Sequence, residues 1–354
     1  MSRFFSSKYS GLVPYTPGEQ PQDQQSIKLN TNESPFPPSP MAQRMARQAA
    51  GDLQLYSDPE CRELTAIGAA YFGVDREEIL FTNGSDEGLN FAFMAFCDEK
   101  HPAVFPDITY GFYPVFARLN GVPYEEIPLG EDFTVNPSEY MGVGKTVFLA
   151  NPNAPTGIAI PVSEIEKILI SNPDNVVVID EAYVDFGAES CVNLIHIYSN
   201  LLVIQTMSKS RNLAGGRLGF CIGCRELIRD LNTIKYSVNP YNVNRMTMAA
   251  GIGAFADREY FRFCCEEIAE NRSRSAEELK KIGFLMTDSL ANFLFVRHPK
   301  IGGRELSLKL KEKGILIRHF ETPRLKDYNR ITVGSAEQMK TLAETLTELL
   351  KEYT

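Results

Sequence analysis

Three residues that could act together on one cofactor occur in order in the middle of the chain. Asp180 follows the apolar run 176–179, Lys209 stands between two serines, and Arg217 follows a pair of glycines. A lysine amine can form a Schiff base, a carboxylate can keep a ring nitrogen protonated, and a guanidinium can bind a phosphate. Alone, Asp180 could be a helix cap, Lys209 a solvated side chain and Arg217 a member of a surface ion pair. Their order and spacing indicate a site for pyridoxal phosphate.

The predicted strands place these residues at one edge of a sheet. Apolar runs at 147–150, 176–179 and 201–204 are typical of buried parallel strands, and helical patterns alternate with them. Asp180 then lies at the carboxyl end of a strand, where ligands bind in open α/β sheets. We therefore predict an α/β fold with a mostly parallel sheet between layers of helices.

The chain ends in a different pattern. A long helix is predicted over 257–281, and the short apolar runs 291–296, 314–317 and 330–333 precede a last helix. This order predicts a smaller α+β domain. Residues 11–40 are rich in proline, and we expect an extended arm without regular elements. The predicted parts are an arm and small-domain segment (1–40), a large cofactor-binding domain (41–275) and a small C-terminal domain (276–354).

Other residues could complete the site. Gly84, Ser85 and Asp86 follow the apolar run 79–82 and open a helix, so their backbone N–H groups could hold an anion; a plain helix cap is the alternative. Tyr183 could reach a phenolic oxygen of the ring. Tyr110 could stack on the ring, although a lone tyrosine is more often part of a core.

Composition narrows the class of protein. The chain has 354 residues, 44% of them hydrophobic, a net charge of −9 and a pI near 5.2. The acidic balance argues against a nucleic-acid partner, and no apolar run is long enough to span a membrane. The first ten residues lack a signal-peptide core, and we read the seven cysteines as reduced thiols of a cytoplasmic protein.

Two motifs are set aside. Residues 142–146 match the end of a phosphate-binding P-loop, but Glu139 stands where that motif needs glycine and a strand follows instead of a helix. Cys221 and Cys224 have a metal-like spacing without a second pair. We predict no metal site.

Several segments together resemble the class I/II aminotransferases of fold type I, which use pyridoxal phosphate. The resemblance covers nearly the whole chain and rests on 83–87, 151–157, 180–183, 208–209 and 216–219. Within that group, 29–36 and 240–244 resemble histidinol-phosphate aminotransferases, as do Tyr15 after Pro14 and Tyr56 before 57–60.

The resemblance implies roles for named residues. Lys209 would form the Schiff base and carry the proton, Asp180 would pair with the ring nitrogen, Tyr183 with the phenolic oxygen, and Tyr110 would stack. In the family a further asparagine just before Pro-Thr-Gly often contacts the phenolic oxygen. Here Ala154 holds that position and Asn153 comes one residue early, so either Asn153 substitutes for it or Tyr183 acts alone. The phosphate would be surrounded by Gly84, Ser85, Asp86, Ser208 and Arg217, with Tyr56 reaching it from the partner subunit of a homodimer. The substrate would be bound by Arg330 at its carboxylate or phosphate, and by Arg318, Tyr15 and Asn32 at its other end.

The implied reaction converts histidinol phosphate and 2-oxoglutarate to imidazole-acetol phosphate and glutamate, a step of histidine biosynthesis. The partners are thus a small amino donor and a 2-oxo acid. A threonine-phosphate decarboxylase and an aromatic-amino-acid aminotransferase share the core residues and stay open as alternatives. The segment 30–36 favours the histidinol-phosphate aminotransferase over both of them. A non-catalytic pyridoxal-phosphate-binding regulator would usually carry an appended DNA-binding segment, and the intact Lys209 also argues against it.

Overall fold

The computed structural model describes residues 2–14, 18–20 and 26–353. Within those residues it has ten α-helices and twelve strands. The helices are α1 (Pro40–Ala49), α2 (Arg62–Phe72), α3 (Ser85–Phe96), α4 (Tyr113–Asn120), α5 (Val162–Ser171), α6 (Arg225–Val238), α7 (Arg245–Ala256), α8 (Arg258–Lys281), α9 (Gly303–Glu312) and α10 (Ala336–Leu350). The strands are β1 (Ile27–Leu29), β2 (Ile79–Thr82), β3 (Ala103–Pro106), β4 (Tyr124–Ile127), β5 (Thr146–Ala150), β6 (Val177–Asp180), β7 (Leu201–Thr206), β8 (Gly219–Gly223), β9 (Leu285–Met286), β10 (Phe293–Arg297), β11 (Ile315–His319) and β12 (Tyr328–Thr332).

Seven strands form the large sheet, in the order β2-β8-β7-β6-β5-β3-β4. The strands β3 to β7 run parallel, whereas β8 is antiparallel to both of its neighbours. Alternate residues of β5 belong to different apolar clusters: Val147 and Leu149 to one, Phe148 and Ala150 to the other. Both faces of this sheet are therefore covered, which explains why its central strands are continuously apolar.

The parallel strands bring their carboxyl ends to one edge. Ala150, Asp180 and Ile204 stand side by side in register across β5, β6 and β7. The segments that follow these strands therefore leave the sheet together. They contain Ala154, Tyr183 and Lys209, so the topology alone gathers three distant parts of the sequence.

Five strands form the small sheet, in the order β1-β11-β12-β10-β9. The expectation that residues 11–40 hold no regular element is wrong, because Ile27–Leu29 pairs in parallel with Ile315–Ile317. This stretch contains no proline, and Leu29 is buried in the core of the small sheet. Its short apolar pattern was masked by the prolines on either side.

The chain passes between the two sheets through α8. This helix runs without interruption from Arg258 to Lys281 and so crosses residue 275, the predicted boundary. A boundary at residue 275 would thus fall inside a continuous helix, and the division into domains stays a prediction. Among the described residues, no helix combines the length and the apolar character needed to cross a bilayer.

Candidate active site

A cavity of about 160 Å³ opens at the carboxyl edge of the large sheet. Its wall is built from the ends of β5, β6 and β7, from the start of α3 and from the loop that follows β7. Eight of the predicted site residues line it: Ser85, Asp86, Tyr110, Asp180, Tyr183, Ser208, Lys209 and Arg217.

Asp180 is a buried carboxylate at the end of β6, with 4% of its surface exposed. Its Oδ2 accepts from the Tyr113 hydroxyl (3.0 Å), and its Oδ1 accepts from the backbone N–H of Ala182 (3.2 Å). Burial raises the pKa of Asp180 to about 7, and the Tyr113 bond opposes that rise. A cation placed beside this carboxylate would relieve the cost of its burial.

Tyr113 is a site residue that the sequence analysis missed. It begins α4, is completely buried, and its hydroxyl donates to Asp180. The available signal was its position three residues after Tyr110, because both rings then turn toward the same edge of the sheet. The two rings meet edge to face, with centroids 5.8 Å apart.

Lys209 points into the cavity from the loop after β7. Its Nζ donates to the carbonyl of Thr31 (3.3 Å) and lies 5.9 Å from the centre of the Tyr183 ring. Burial lowers the pKa of Lys209 to about 8, and the charge of Arg330 lowers it further in the same direction. The neutral amine, which is the nucleophile, is therefore well populated just above neutral pH.

The start of α3 forms a cradle with Arg217. Gly84 has φ +75°, a backbone conformation that favours glycine, and a Cβ there would lie 2.6 Å from Arg217 Nη2, so a larger residue would displace the guanidinium. Asp86 Oδ2 accepts from Arg217 Nη2 (3.0 Å) and its Oδ1 accepts from the Tyr110 hydroxyl (2.6 Å). The Asp86 side chain thus orients two cavity residues, while the helix N-terminus and the guanidinium form a place where an anion could bind.

These groups fit pyridoxal phosphate. An amine with a lowered pKa, a buried carboxylate and an anion cradle face one cavity. The aldehyde, ring nitrogen and phosphate of that cofactor need groups of these kinds.

The structure does not bring Asn153 to the cavity, where Ala154 forms the wall instead. The Asn153 carboxamide is buried and fully used: its Oδ1 accepts from the Thr109 hydroxyl (2.8 Å), and its Nδ2 donates to Ile108 O (3.0 Å) and Thr156 Oγ1 (3.1 Å). Asn153 therefore holds the segment that carries Ala154, and it offers no group to the cavity.

The predicted substrate residues are spread around the cavity. Arg330, on β12, donates to the carbonyl of Asn30 (3.2 Å), and its charge acts on Lys209 and Tyr183. Arg318 is opposite Arg330 in register on β11 but lines a separate depression. Asn32 donates to the Tyr183 hydroxyl (3.0 Å) instead of lining the cavity.

Two predicted residues lie elsewhere. Tyr56 is 80% exposed and its ring stacks on Tyr241, with centroids 4.6 Å apart. It is not among the residues that line the cavity of this chain. Tyr15 lies outside the described residues.

A family model described as aminotransferase class I and II matches residues 24–346. The chain belongs to this family. The predictions of a pyridoxal-phosphate-dependent aminotransferase and of fold type I are confirmed.

Curated relatives within the aminotransferase family match over the full length. Histidinol-phosphate aminotransferase of Brachyspira hyodysenteriae is 44% identical, with 99% of this chain and 100% of the relative covered. Histidinol-phosphate aminotransferase 1 of Bradyrhizobium diazoefficiens is 46% identical, with the same coverage. The resemblance stated from motifs is thus confirmed by full-length similarity.

Solved structures agree on the fold. The Sinorhizobium meliloti histidinol-phosphate aminotransferase, solved in complex with pyridoxal 5′-phosphate, superposes with a TM-score of 0.90 at 24% identity, covering 100% of this chain and 99% of that one. The Clostridium acetobutylicum histidinol-phosphate aminotransferase gives 0.85 at 23% identity, covering 92% and 99%.

Proposed function

We propose that this aminotransferase transfers the amino group of histidinol phosphate to 2-oxoglutarate. The observation that carries the proposal is the name shared by relatives that are 44–46% identical from end to end. The cavity provides the residues that such a reaction needs. A cytoplasmic location remains a prediction.

Pyridoxal phosphate, when bound, supplies a ring that withdraws electrons from the carbon bearing the amino group. Lys209 would take the proton from that carbon and return it to the aldehyde carbon of the cofactor, because its amine is buried and its pKa is lowered to about 8. Asp180, held by Tyr113, would keep the ring nitrogen protonated. Tyr110 would cover one face of the ring.

The phosphate of the cofactor would bind at the start of α3. Gly84 allows Arg217 to approach, and Ser85 and Ser208 add hydroxyl groups to the cavity wall. Because Asp86 already holds Arg217 and Tyr110, we assign its side chain a positioning role and leave the anion to the backbone N–H groups and the guanidinium.

The substrate alternates between a phosphate ester and dicarboxylates. Arg330 lies close enough to Lys209 to lower its pKa, so it would face the anionic group nearest the reacting carbon. Arg318 would act further out, from its neighbouring position on β11.

A homodimer with shared sites is part of this proposal. Leu53, Leu55, Tyr56 and Tyr241 are all exposed and apolar. Such a patch is typical of a surface covered by another chain. Tyr56 would then reach the cofactor phosphate of the partner subunit.

A spectral panel tests the substrate. Histidinol phosphate, phosphothreonine, phenylalanine and glutamate are each added alone to the cofactor-loaded protein while the visible absorbance of the bound cofactor is followed. We expect histidinol phosphate and glutamate both to remove the band. A response to phosphothreonine only, with carbon dioxide released and the band restored, would instead establish the decarboxylase.

A lysine variant tests the chemistry. Lys209→Ala should lose the lysine-dependent absorbance band and nearly all turnover, whereas the exposed Lys280→Ala should keep both. Normal turnover by Lys209→Ala would refute the assignment of Lys209.

A further inference from the structure

Asn32 lies between the two sheets and is held by four hydrogen bonds. Its backbone N–H donates to Thr332 Oγ1 (2.9 Å), its Oδ1 accepts from the same hydroxyl (3.1 Å), and its carbonyl accepts from Asn292 Nδ2 (3.0 Å). The fourth bond runs from its Nδ2 to the Tyr183 hydroxyl (3.0 Å). Thr332 ends β12 and Asn292 precedes β10, so the small sheet fixes Asn32 and only the fourth bond reaches a cavity residue.

The backbone of Asn32 is also unusual. Its φ is +56° and 1% of its surface is exposed. Non-glycine residues rarely adopt this left-handed region, although asparagine does so more readily than most. Such a conformation persists where the surroundings fix it, and it is often found at functional sites. Here the four hydrogen bonds fix both the backbone and the carboxamide.

The bond from Asn32 determines what the Tyr183 hydroxyl can do. A phenol has one hydrogen to donate and can also accept. Because Asn32 Nδ2 occupies an acceptor position on the oxygen, the phenolic hydrogen stays available for an acceptor in the cavity. Burial raises the pKa of Tyr183, whereas Arg330 and the Asn32 bond lower it, and a lower pKa makes the hydroxyl a stronger donor.

We propose that Asn32 is a positioning residue that acts through Tyr183 on the phenolic oxygen of bound pyridoxal phosphate. The arm would thereby provide the polarisation that Ala154, an alanine where the family often has asparagine, does not supply. The inference rests on the proposed function. It differs from the expectation that Asn32 contacts the substrate, since both ends of its carboxamide are already engaged.

The test compares variants in which the charges around Tyr183 do not change. Those charges come from Arg330 on β12, Asp180 at the end of β6, Asp86 on α3 and Lys209. Asn32→Gly removes the carboxamide and keeps a residue that tolerates the positive φ. The matched control is Asn30→Ala, a buried asparagine of the same arm whose side chain bonds to the carbonyl of Glu19.

The readout is the pH midpoint of the visible absorbance of the bound cofactor, followed by titration without substrate. A donor to the phenolic oxygen stabilises its negative charge, which favours loss of the proton that this oxygen shares with the lysine nitrogen. Weakening that donor in Asn32→Gly should therefore raise the midpoint by about half a unit to one unit, a three- to tenfold change in the proton equilibrium. Asn30→Ala should leave it unchanged.

A double-mutant cycle decides whether Asn32 acts through Tyr183. The shift caused by Asn32→Gly should disappear in a Tyr183→Phe background. An equal shift in both backgrounds, or no shift in the wild-type background, would overturn the inference. Failure of the wild-type protein to show a lysine-dependent band with pyridoxal phosphate would instead overturn the proposed function, and the inference with it.

A second pair of variants covers the possibility that Asn32→Gly does not fold. Thr332→Val removes the hydroxyl that orients Asn32, whereas Thr332→Ser keeps it. We expect an upward shift of the midpoint for valine and the wild-type midpoint for serine. Equal midpoints for the two variants would contradict the assignment.

Discussion

The cost of burying Asp180 gives a prediction that can be made without the cofactor. Asp180 is 4% exposed, and burial raises its pKa from 3.8 to about 7. Among the described residues, no cationic side chain pairs with this carboxylate. Replacing Asp180 with asparagine removes the charge at nearly constant volume, and an amide can still bond to both Tyr113 and Ala182. We expect Asp180→Asn to stabilise the cofactor-free protein at neutral pH while weakening its hold on pyridoxal phosphate.

The magnitude follows from linkage between proton binding and folding. A carboxyl whose pKa is higher in the folded state contributes stability at low pH, and that contribution is lost as the pH rises through the folded pKa. With 3.8 for the unfolded chain and about 7 for the folded one, the free energy of unfolding should fall by about 3 kcal/mol between pH 5 and pH 8. The neighbouring Glu181 titrates in a similar range, but it is present in both proteins and cancels from the comparison.

The assay is urea unfolding of cofactor-free wild type and Asp180→Asn at pH 5 and pH 8. The wild type should lose about 3 kcal/mol relative to the variant over this interval. Asp132→Asn is the control, because that carboxyl is exposed and the Thr134 bonds lower its pKa, so its effect should be the same at both pH values. A stability difference between Asp180→Asn and wild type that does not change with pH would refute the reasoning.

Three other perturbations test single contacts. Capture of pyridoxal phosphate by the cofactor-free protein should accelerate as the pH rises through about 8, where Lys209 loses its proton. Arg330→Gln should move that midpoint upward, because the charge of Arg330 lowers the pKa of Lys209. Stopped-flow absorbance measures both effects. Gly84→Ala, which forces a Cβ against Arg217, should weaken retention of the cofactor about tenfold or more in equilibrium dialysis. Tyr113→Phe should raise the pKa of Asp180 by about one unit, so the pH dependence of unfolding should extend to higher pH, and an unchanged profile would contradict the role of this hydroxyl.

Much of the large sheet could be predicted because its strands are buried on both faces. The runs 147–150, 176–179 and 201–204 match β5, β6 and β7 to within two residues at either end. The strand β8 was missed, because the glycine-rich segment before it and the cysteines within it are not typical strand signals. The strand β1 was missed because three residues carry little pattern among flanking prolines.

The site residues also differ in how far the sequence could predict them. Lys209, Asp180 and Arg217 have side chains whose chemistry is specific, and their spacing was sufficient to predict that they meet. Tyr113 and Asn32 act on other residues, so their importance depends on which way each side chain turns, and spacing does not encode that. Asn153 illustrates the limit, since a one-residue offset turned its carboxamide toward Thr109 and away from the cavity.

The pairing of β1 with β11 has a consequence for synthesis of the protein. Ile27 pairs with Ile315, so the arm must wait for about 290 residues to be translated before its partner strand exists. At the usual 5–20 residues per second, that wait is roughly 15 to 60 seconds. The large sheet, which ends at Gly223, leaves the ribosome well before then. The arm that carries Asn32 therefore joins its sheet late, so a growing chain can complete the large sheet before Asn32 and Tyr183 can meet.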